Sequence, residues 1–267
     1  LVVRLPFMLL LVLALLCTWR AVFSLARTPG AQPVAFAFGG EASPTDYARA
    51  LADGGLLALL ACLGLAQFSH ETSHTLTQLS AACVVFFAAA SMWWQPRLSA
   101  IAAMTGTLAL ALAGAPAMAM LLGAGAMAMA LLVRTPKLAQ RYSWAAWWAL
   151  SMAVAAAAAW ALGLWEYRLI NPWQQGKDWQ SMARLLIWFS WPTWPLALWA
   201  LWCWRRQLQH PTRNPHIAWP LWMWLIALLC TLFTAEGDRA LILSLPAAAT
   251  LAAFALPTFK RSLGALI

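Results

Sequence analysis

The stretch Leu5 to Phe23 reads LPFMLLLVLALLCTWRAVF, and Arg20 is its one charged residue. A bilayer core about 30 Å thick takes roughly 20 helical residues to cross. In lipid a spanning segment must satisfy its own backbone hydrogen bonds, which a helix does. This stretch therefore predicts a transmembrane helix.

Eight more apolar blocks follow it along the chain: Gly54–Phe68, Leu76–Trp94, Leu98–Ala115, Pro116–Val133, Trp144–Trp165, Leu185–Trp204, Ile217–Thr234 and Ala240–Thr258. Of the nine blocks, all but Gly54–Phe68 fall within the usable span of about 17 to 25 residues. The sequence thus predicts an all-α fold: one transmembrane helical domain over residues 1–267, with eight or nine spans.

The composition agrees with a multi-pass membrane protein. Hydrophobic residues make up 63% of the chain, charged residues 9%, and 19 residues are tryptophan, whereas about a quarter of the residues in a soluble domain are charged. Tryptophan is enriched at both surfaces of a bilayer. The expected partner of this surface is the lipid bilayer.

The net charge of +9 arises from small basic groups beside the apolar blocks: Arg134, Lys137 and Arg141; Arg205, Arg206 and Arg213; Lys260 and Arg261. Lys and Arg mark cytoplasmic loops in membrane proteins. This placement indicates membrane topology, and it does not favour nucleic acid as a partner.

Two polar segments are long enough to carry a site. They are Ser24 to Asp53 and Glu166 to Arg184, and we predict both as extracytoplasmic loops. The second segment mixes charged residues with Trp173 and Trp179, a combination that suits an amphipathic helix at the membrane surface.

The charge pattern leaves the topology of the first half open. If Arg4 and Arg97 are both cytoplasmic, the first three blocks cannot all span. Either Gly54–Phe68, whose helix would be only about 22 Å long, does not cross fully, or Leu1 lies outside. The chain starts at Leu1 with no polar leader, and we expect it to be a fragment of a larger membrane protein.

The segment from His70 to His74 matches H-E-x-x-H. On a helix, His70 and His74 would share a face and could hold zinc while Glu71 activates water. This alternative predicts an intramembrane zinc protease. The other interpretation is a polar turn from Ser69 to Thr77 whose hydroxyls cap the next helix.

Three stretches resemble bacterial integral-membrane glycosyltransferases of the GT-C type, the group of protein mannosyltransferases and aminoarabinose transferases. They are AQPVAFAFGGEASPTDYARALADGGLLALLACLGLAQFSHET (31–72), WFSWPTWPLALWALWCWRRQL (188–208) and DRALILSLPAAATLAAFALPTFKRSLGALI (238–267). The resemblance implies a transferase in the bacterial inner membrane that moves a sugar from a polyprenyl-phosphate donor to an extracytoplasmic acceptor, with no further cofactor.

In that family the acidic catalytic residues lie in the first extracytoplasmic loop. Glu41 and Asp46 lack the family's sequence context, so the resemblance assigns no catalytic residue here and fits a chain that begins downstream of the catalytic loop. The chemistry needs cations to stabilise the leaving phosphate, and Arg168, Lys177 and Arg184 are candidates to bind it. The alternatives are ordinary headgroup contacts for these residues and, for the whole chain, a non-catalytic transport or assembly subunit.

Overall fold

A computed structural model describes residues 4–32, 43–68, 73–132, 138–165, 179–233 and 240–259. Every regular element in these ranges is helical, which confirms the predicted all-helical class. The α-helices are α1 (Leu5–Ala26), α2 (Pro44–Leu60), α3 (Leu63–Phe68), α4 (His74–Ser91), α5 (Pro96–Leu112), α6 (Pro116–Leu132), α7 (Leu138–Ala161), α8 (Trp179–Phe189), α9 (Thr193–Cys203), α10 (Arg205–Leu208), α11 (Pro215–Leu232) and α12 (Leu245–Ala253). Turns of 3-10 helix flank α12 at Leu241–Ser244 and Leu256–Thr258.

Four helical stretches are long and apolar enough to cross a membrane: Leu5–Ala26, His74–Ser91, Ala139–Ala161 and Leu241–Thr258. Three other apolar helices, Pro96–Leu112, Pro116–Leu132 and Pro215–Thr231, are shorter. The chain thus has the helices of a membrane protein. The predicted total of eight or nine spans stays a prediction.

The second apolar block is helical over a different range from the one predicted. α2 begins at Pro44, ten residues before the block, because the Ser43 side chain accepts a hydrogen bond from the Asp46 N–H and proline suits the first helical turn. At 17 residues α2 is about 25 Å long. The predicted loop from Ser24 to Asp53 is therefore wrong in extent, since α1 runs to Ala26 and α2 covers the loop's last ten residues.

Hydrogen bonds fix the directions of the first helices. The Ser80 hydroxyl of α4 donates to the Leu10 carbonyl of α1 at 2.7 Å, and the Arg27 guanidinium lies 4.2 Å from the centre of the Trp94 ring. α1 and α4 are therefore parallel. α5 runs back along α4, because the Gln78 amide donates to the Ala113 carbonyl at 2.8 Å.

The same alternation continues through the second half of the chain. α6 and α7 follow α5 as an antiparallel pair, and the Trp222 indole of α11 donates to the Leu121 carbonyl of α6 at 3.2 Å. The start of α11 lies beside the end of α1, where His216 Nδ1 is 3.4 Å from Thr28 Oγ1. The chain therefore passes repeatedly between two ends of one bundle.

We call the end that holds Arg27, Arg97, Arg205 and Arg213 the arginine-rich end. The other end, which we call the opposite end, holds the start of α4, the turn after α5 and the end of α7. The described flanks of residues 33–42 lie at the arginine-rich end, and those of residues 166–178 lie at the opposite end. The prediction that both segments are extracytoplasmic loops stays a prediction.

The centre of the bundle consists of α4 and the Leu241–Thr258 stretch, each 83% buried over its apolar window, whereas α1 and α7 are 39% and 33% buried. The central stretch is rich in alanine, and Ala247, Ala248 and Ala249 are fully buried. Small side chains let helices approach closely where lipid supplies no hydrophobic driving force. The core is therefore held mainly by close packing.

Two buried tryptophans allow a matched test of one hydrogen bond in this core. The Trp219 indole donates to the Phe86 carbonyl at 3.1 Å, whereas Trp148 Nε1 is buried without a partner among the described residues. Replacement by phenylalanine removes the same volume at both sites. We expect Trp219→Phe to destabilise the protein by about 0.5 to 1.5 kcal/mol more than Trp148→Phe, measured by unfolding in detergent micelles. Equal losses would contradict this.

Candidate functional site

Two helix breaks meet near the opposite end. The first lies at Ala61–Cys62 between α2 and α3, and the second lies at Ser190–Pro192 between α8 and α9. The Leu63 N–H donates to the Trp191 carbonyl at 3.2 Å, and Cys62 Sγ lies 3.4 Å from Thr193 Oγ1. We call this contact the double break. The second break interrupts the predicted span Leu185–Trp204, which therefore contains parts of two helices, α8 and α9.

Several backbone groups of the double break are paired within it. At α9, the N–H groups of Thr193 and Trp194 donate to the Ser190 carbonyl at 2.8 and 3.1 Å, and Pro195 has no N–H. Irregular backbone at membrane depth is tolerated where protein covers it. The amides of Thr193 and Trp194 are therefore already used and would not be available to an anion.

Arg184 is the described member of the predicted phosphate-binding set. It lies on α8, whose N-terminus falls within the predicted surface segment, and its side chain is exposed. Leu185, Leu186 and Phe189 of the same helix pack against the core, whereas Trp188 is 67% exposed. α8 is thus amphipathic and holds Arg184 on its exposed face. Arg168 and Lys177 lie outside the described residues.

Of the H-E-x-x-H segment, the structure describes only Ser73 and His74. Ser73 is extended, with φ −116° and ψ 155°, and α4 begins only at His74. His70 and Glu71 lie outside the described residues, so the zinc site stays a prediction. Ser73 makes no side-chain cap bond to α4, so the capping alternative is not found at this residue.

The described residues were also compared with the side-chain clusters that bind metal ions. Within the described ranges, no group of three or more His, Cys, Asp or Glu side chains could hold a metal ion. The five cysteines are free thiols.

The two described carboxylates both lie towards the arginine-rich end, on α2. Asp46 pairs with Arg49 at 3.3 Å, and both side chains are more than half exposed. Asp53 accepts a hydrogen bond from the Trp19 indole at 2.8 Å. Neither is at the end of the bundle where Arg184 lies, and Glu41 is outside the described residues. A catalytic carboxylate therefore remains unassigned.

His216, which directly precedes the predicted apolar block Ile217–Thr234, is a buried polar group that the sequence did not indicate. The residue lies in the first turn of α11 and is fully buried, with the Trp204 and Phe254 ring centres 5.2 and 5.4 Å from its own. The Thr28 hydroxyl donates to the Leu25 carbonyl at 2.7 Å, so the contact with His216 needs the proton on Nδ1. His216 Nε2 is then an acceptor without a partner among the described residues.

Comparisons of the chain with protein-family models, with curated proteins and with solved structures found no match.

Proposed function

We propose that the chain is a nine-pass protein of the bacterial inner membrane, with its arginine-rich end in the cytosol. The passes would be α1, α2 with α3, α4, α5, α6, α7, α8 with α9, α11, and Leu241–Thr258. Of the ten described arginines, Arg4 and Arg184 lie towards the opposite end, and the other eight lie in the half of the bundle towards the arginine-rich end: Arg20, Arg27, Arg49, Arg97, Arg141, Arg205, Arg206 and Arg213. Basic residues concentrate on the cytosolic side of inner-membrane proteins.

This orientation would resolve the open topology of the first half. The start of α1 would lie outside, α2 with α3 would cross the membrane, and Arg97 would be cytosolic. This orientation corresponds to the explanation in which Leu1 lies outside the cytosol, and not to the one in which Gly54–Phe68 fails to cross. The short apolar block Gly54–Phe68 would reach the required length by adding the polar first half of α2.

We propose further that the protein is the membrane-embedded part of a glycosyltransferase that takes a sugar from a polyprenyl-phosphate donor on the extracytoplasmic side. The observation that carries this is the position of Arg184, exposed on the amphipathic helix α8 at the opposite end. A lipid phosphate would bind through guanidinium groups, which suit phosphate geometry. The sequence resemblance supplies the reaction class.

The proposal also constrains the active site. With the arginine-rich end in the cytosol, the segment that contains Glu41 and Asp46 would face the wrong side for extracytoplasmic transfer. The carboxylate base that activates the acceptor would then be another residue of this chain or of a partner.

Binding of polyprenyl phosphate to the protein in nanodiscs tests the role of Arg184. We expect Arg184→Ala to weaken binding about fivefold, the effect of one cation at a membrane surface. Arg97→Ala is the matched control, because Arg97 is also exposed on an apolar helix but lies at the arginine-rich end. Equal affinities of the two variants would contradict the assignment of the site.

Sugar transfer needs a separate assay on the same preparation. With a polyprenyl-phosphate sugar and a membrane extract as acceptor source, the proposal predicts labelled product that decreases in Arg184→Ala. Binding without any transfer would instead favour the non-catalytic transport or assembly subunit.

A further inference from the structure

We propose that a groove between α6 and α11 binds an anionic glycerophospholipid, with one acyl chain in the groove and the phosphate at Arg213. The groove has a volume of about 280 Å³. Its sides are formed by Ala124, Gly125 and Ala128 of α6 and by Trp219 and Trp222 of α11. It lies away from Arg184, so this inference does not depend on the proposed glycosyltransferase.

The walls of the groove are suited to hydrocarbon. Both indole N–H groups in the wall are already used, that of Trp219 by the Phe86 carbonyl and that of Trp222 by the Leu121 carbonyl. Gly125 lets the Trp222 indole approach α6 closely, since a Cβ at this position would clash with Trp222 Nε1. A polar headgroup would find few partners inside, whereas an alkyl chain needs none.

The groove is elongated and has a direction. It extends from Gly125 and Trp222, near the middle of their helices, to Leu132 and Thr212 at the arginine-rich end. The seven-residue separation between Gly125 and Leu132 corresponds to about 10 Å of helix. An acyl chain that lies along α6 would therefore point its headgroup towards the arginine-rich end.

The mouth of the groove carries the charge that an anionic headgroup needs. Arg213 follows Thr212 and is exposed, as are Arg205 and Arg206. The Asn214 side chain donates to the Gln207 carbonyl at 3.0 Å and so holds this loop against α10. The two described carboxylates are engaged elsewhere, Asp46 with Arg49 and Asp53 with the Trp19 indole, so neither pairs with these three arginines. Basic pockets between helices at the cytosolic surface bind anionic lipid headgroups.

Native mass spectrometry of the detergent-solubilised protein tests the proposal with phosphatidylglycerol and phosphatidylcholine of identical acyl chains. We expect phosphatidylglycerol to bind about fivefold more tightly. Ala128→Phe fills the groove and should weaken phosphatidylglycerol binding at least about tenfold, while Ala109→Phe, at an exposed alanine of α5, should change it less than about twofold. Arg213→Ala should reduce phosphatidylglycerol binding to the level of phosphatidylcholine and leave the latter unchanged.

Several outcomes would overturn the proposal. Equal effects of Ala128→Phe and Ala109→Phe would mean general adhesion of lipid to the belt of apolar helices. A preference for phosphatidylglycerol that survives Arg213→Ala would remove the phosphate contact. Tighter binding of polyprenyl phosphate than of phosphatidylglycerol, sensitive to Ala128→Phe, would assign the groove to a different lipid. If Ala128→Phe lowers the melting temperature, Ala124→Leu is tested in its place, because it narrows the same groove with a smaller side chain.

Discussion

Gly64→Leu should detach α8 and α9 from α3 and lower the free energy of unfolding by about 1 to 3 kcal/mol. A Cβ at Gly64 would lie 2.1 Å from Phe189 Cε1 and 2.5 Å from Cζ. The Phe189 ring is only 5% exposed, so it cannot turn away without disturbing the double break. Overpacking at a buried aromatic ring is therefore the expected cause of the loss.

Gly54→Leu is the matched control. A Cβ at Gly54 would meet Leu256 Cδ1 at 2.6 Å, but that atom is the end of a flexible side chain that is 45% exposed. Both substitutions gain roughly 0.8 kcal/mol of helix propensity, so the difference between them reports the clash. Unfolding in mixed detergent micelles measures both. Phe189→Ala should remove the difference, and a Gly64→Leu variant as stable as Gly54→Leu would contradict the packing at the double break.

Hydropathy predicted the helices whose ends coincide with a change in polarity. The block Leu5–Phe23 was extended by three residues in α1, and the block Pro116–Val133 coincides with α6 to within one residue. In both cases a proline lies in the first turn, where it starts a helix without loss of a hydrogen bond. Apolar length and proline position were sufficient signals there.

Hydropathy could not predict α2, because its first half is polar. Ser43 caps the helix by accepting a hydrogen bond from the Asp46 N–H, and the Asp53 carboxylate accepts one from the Trp19 indole of α1. These partners make a charged segment compatible with a helix packed in the bundle. The start of α2 therefore lies at the arginine-rich end, which the charge pattern alone did not indicate.

The candidate site was predictable only in part. Arg184 was predicted at the end of a polar loop, and it lies within the helix α8 with its side chain exposed. The burial of His216 had no local signal, because Thr28 is 188 residues away in sequence. Contacts of this kind depend on how the helices assemble.

A membrane-impermeant maleimide should react from opposite sides with cysteines placed at the two ends of the bundle. The background would lack the five native cysteines, of which Cys203 is exposed. Thr45→Cys and Gln209→Cys lie at exposed positions of the arginine-rich end, and Leu162→Cys lies at an exposed position of the opposite end. Thr45 is the decisive position, because the charge pattern had placed it on the same side as the segment that follows Leu162.

We expect Leu162→Cys to react at least about tenfold faster in right-side-out vesicles than in inverted ones, because the bilayer separates the two ends of the bundle. Thr45→Cys and Gln209→Cys should show the reverse preference. Detergent permeabilisation should make all three react, which controls for local burial. Labelling of Thr45→Cys and Leu162→Cys from the same side, or equal labelling of all three in both kinds of vesicle, would contradict a membrane-spanning bundle whose arginine-rich end is cytosolic.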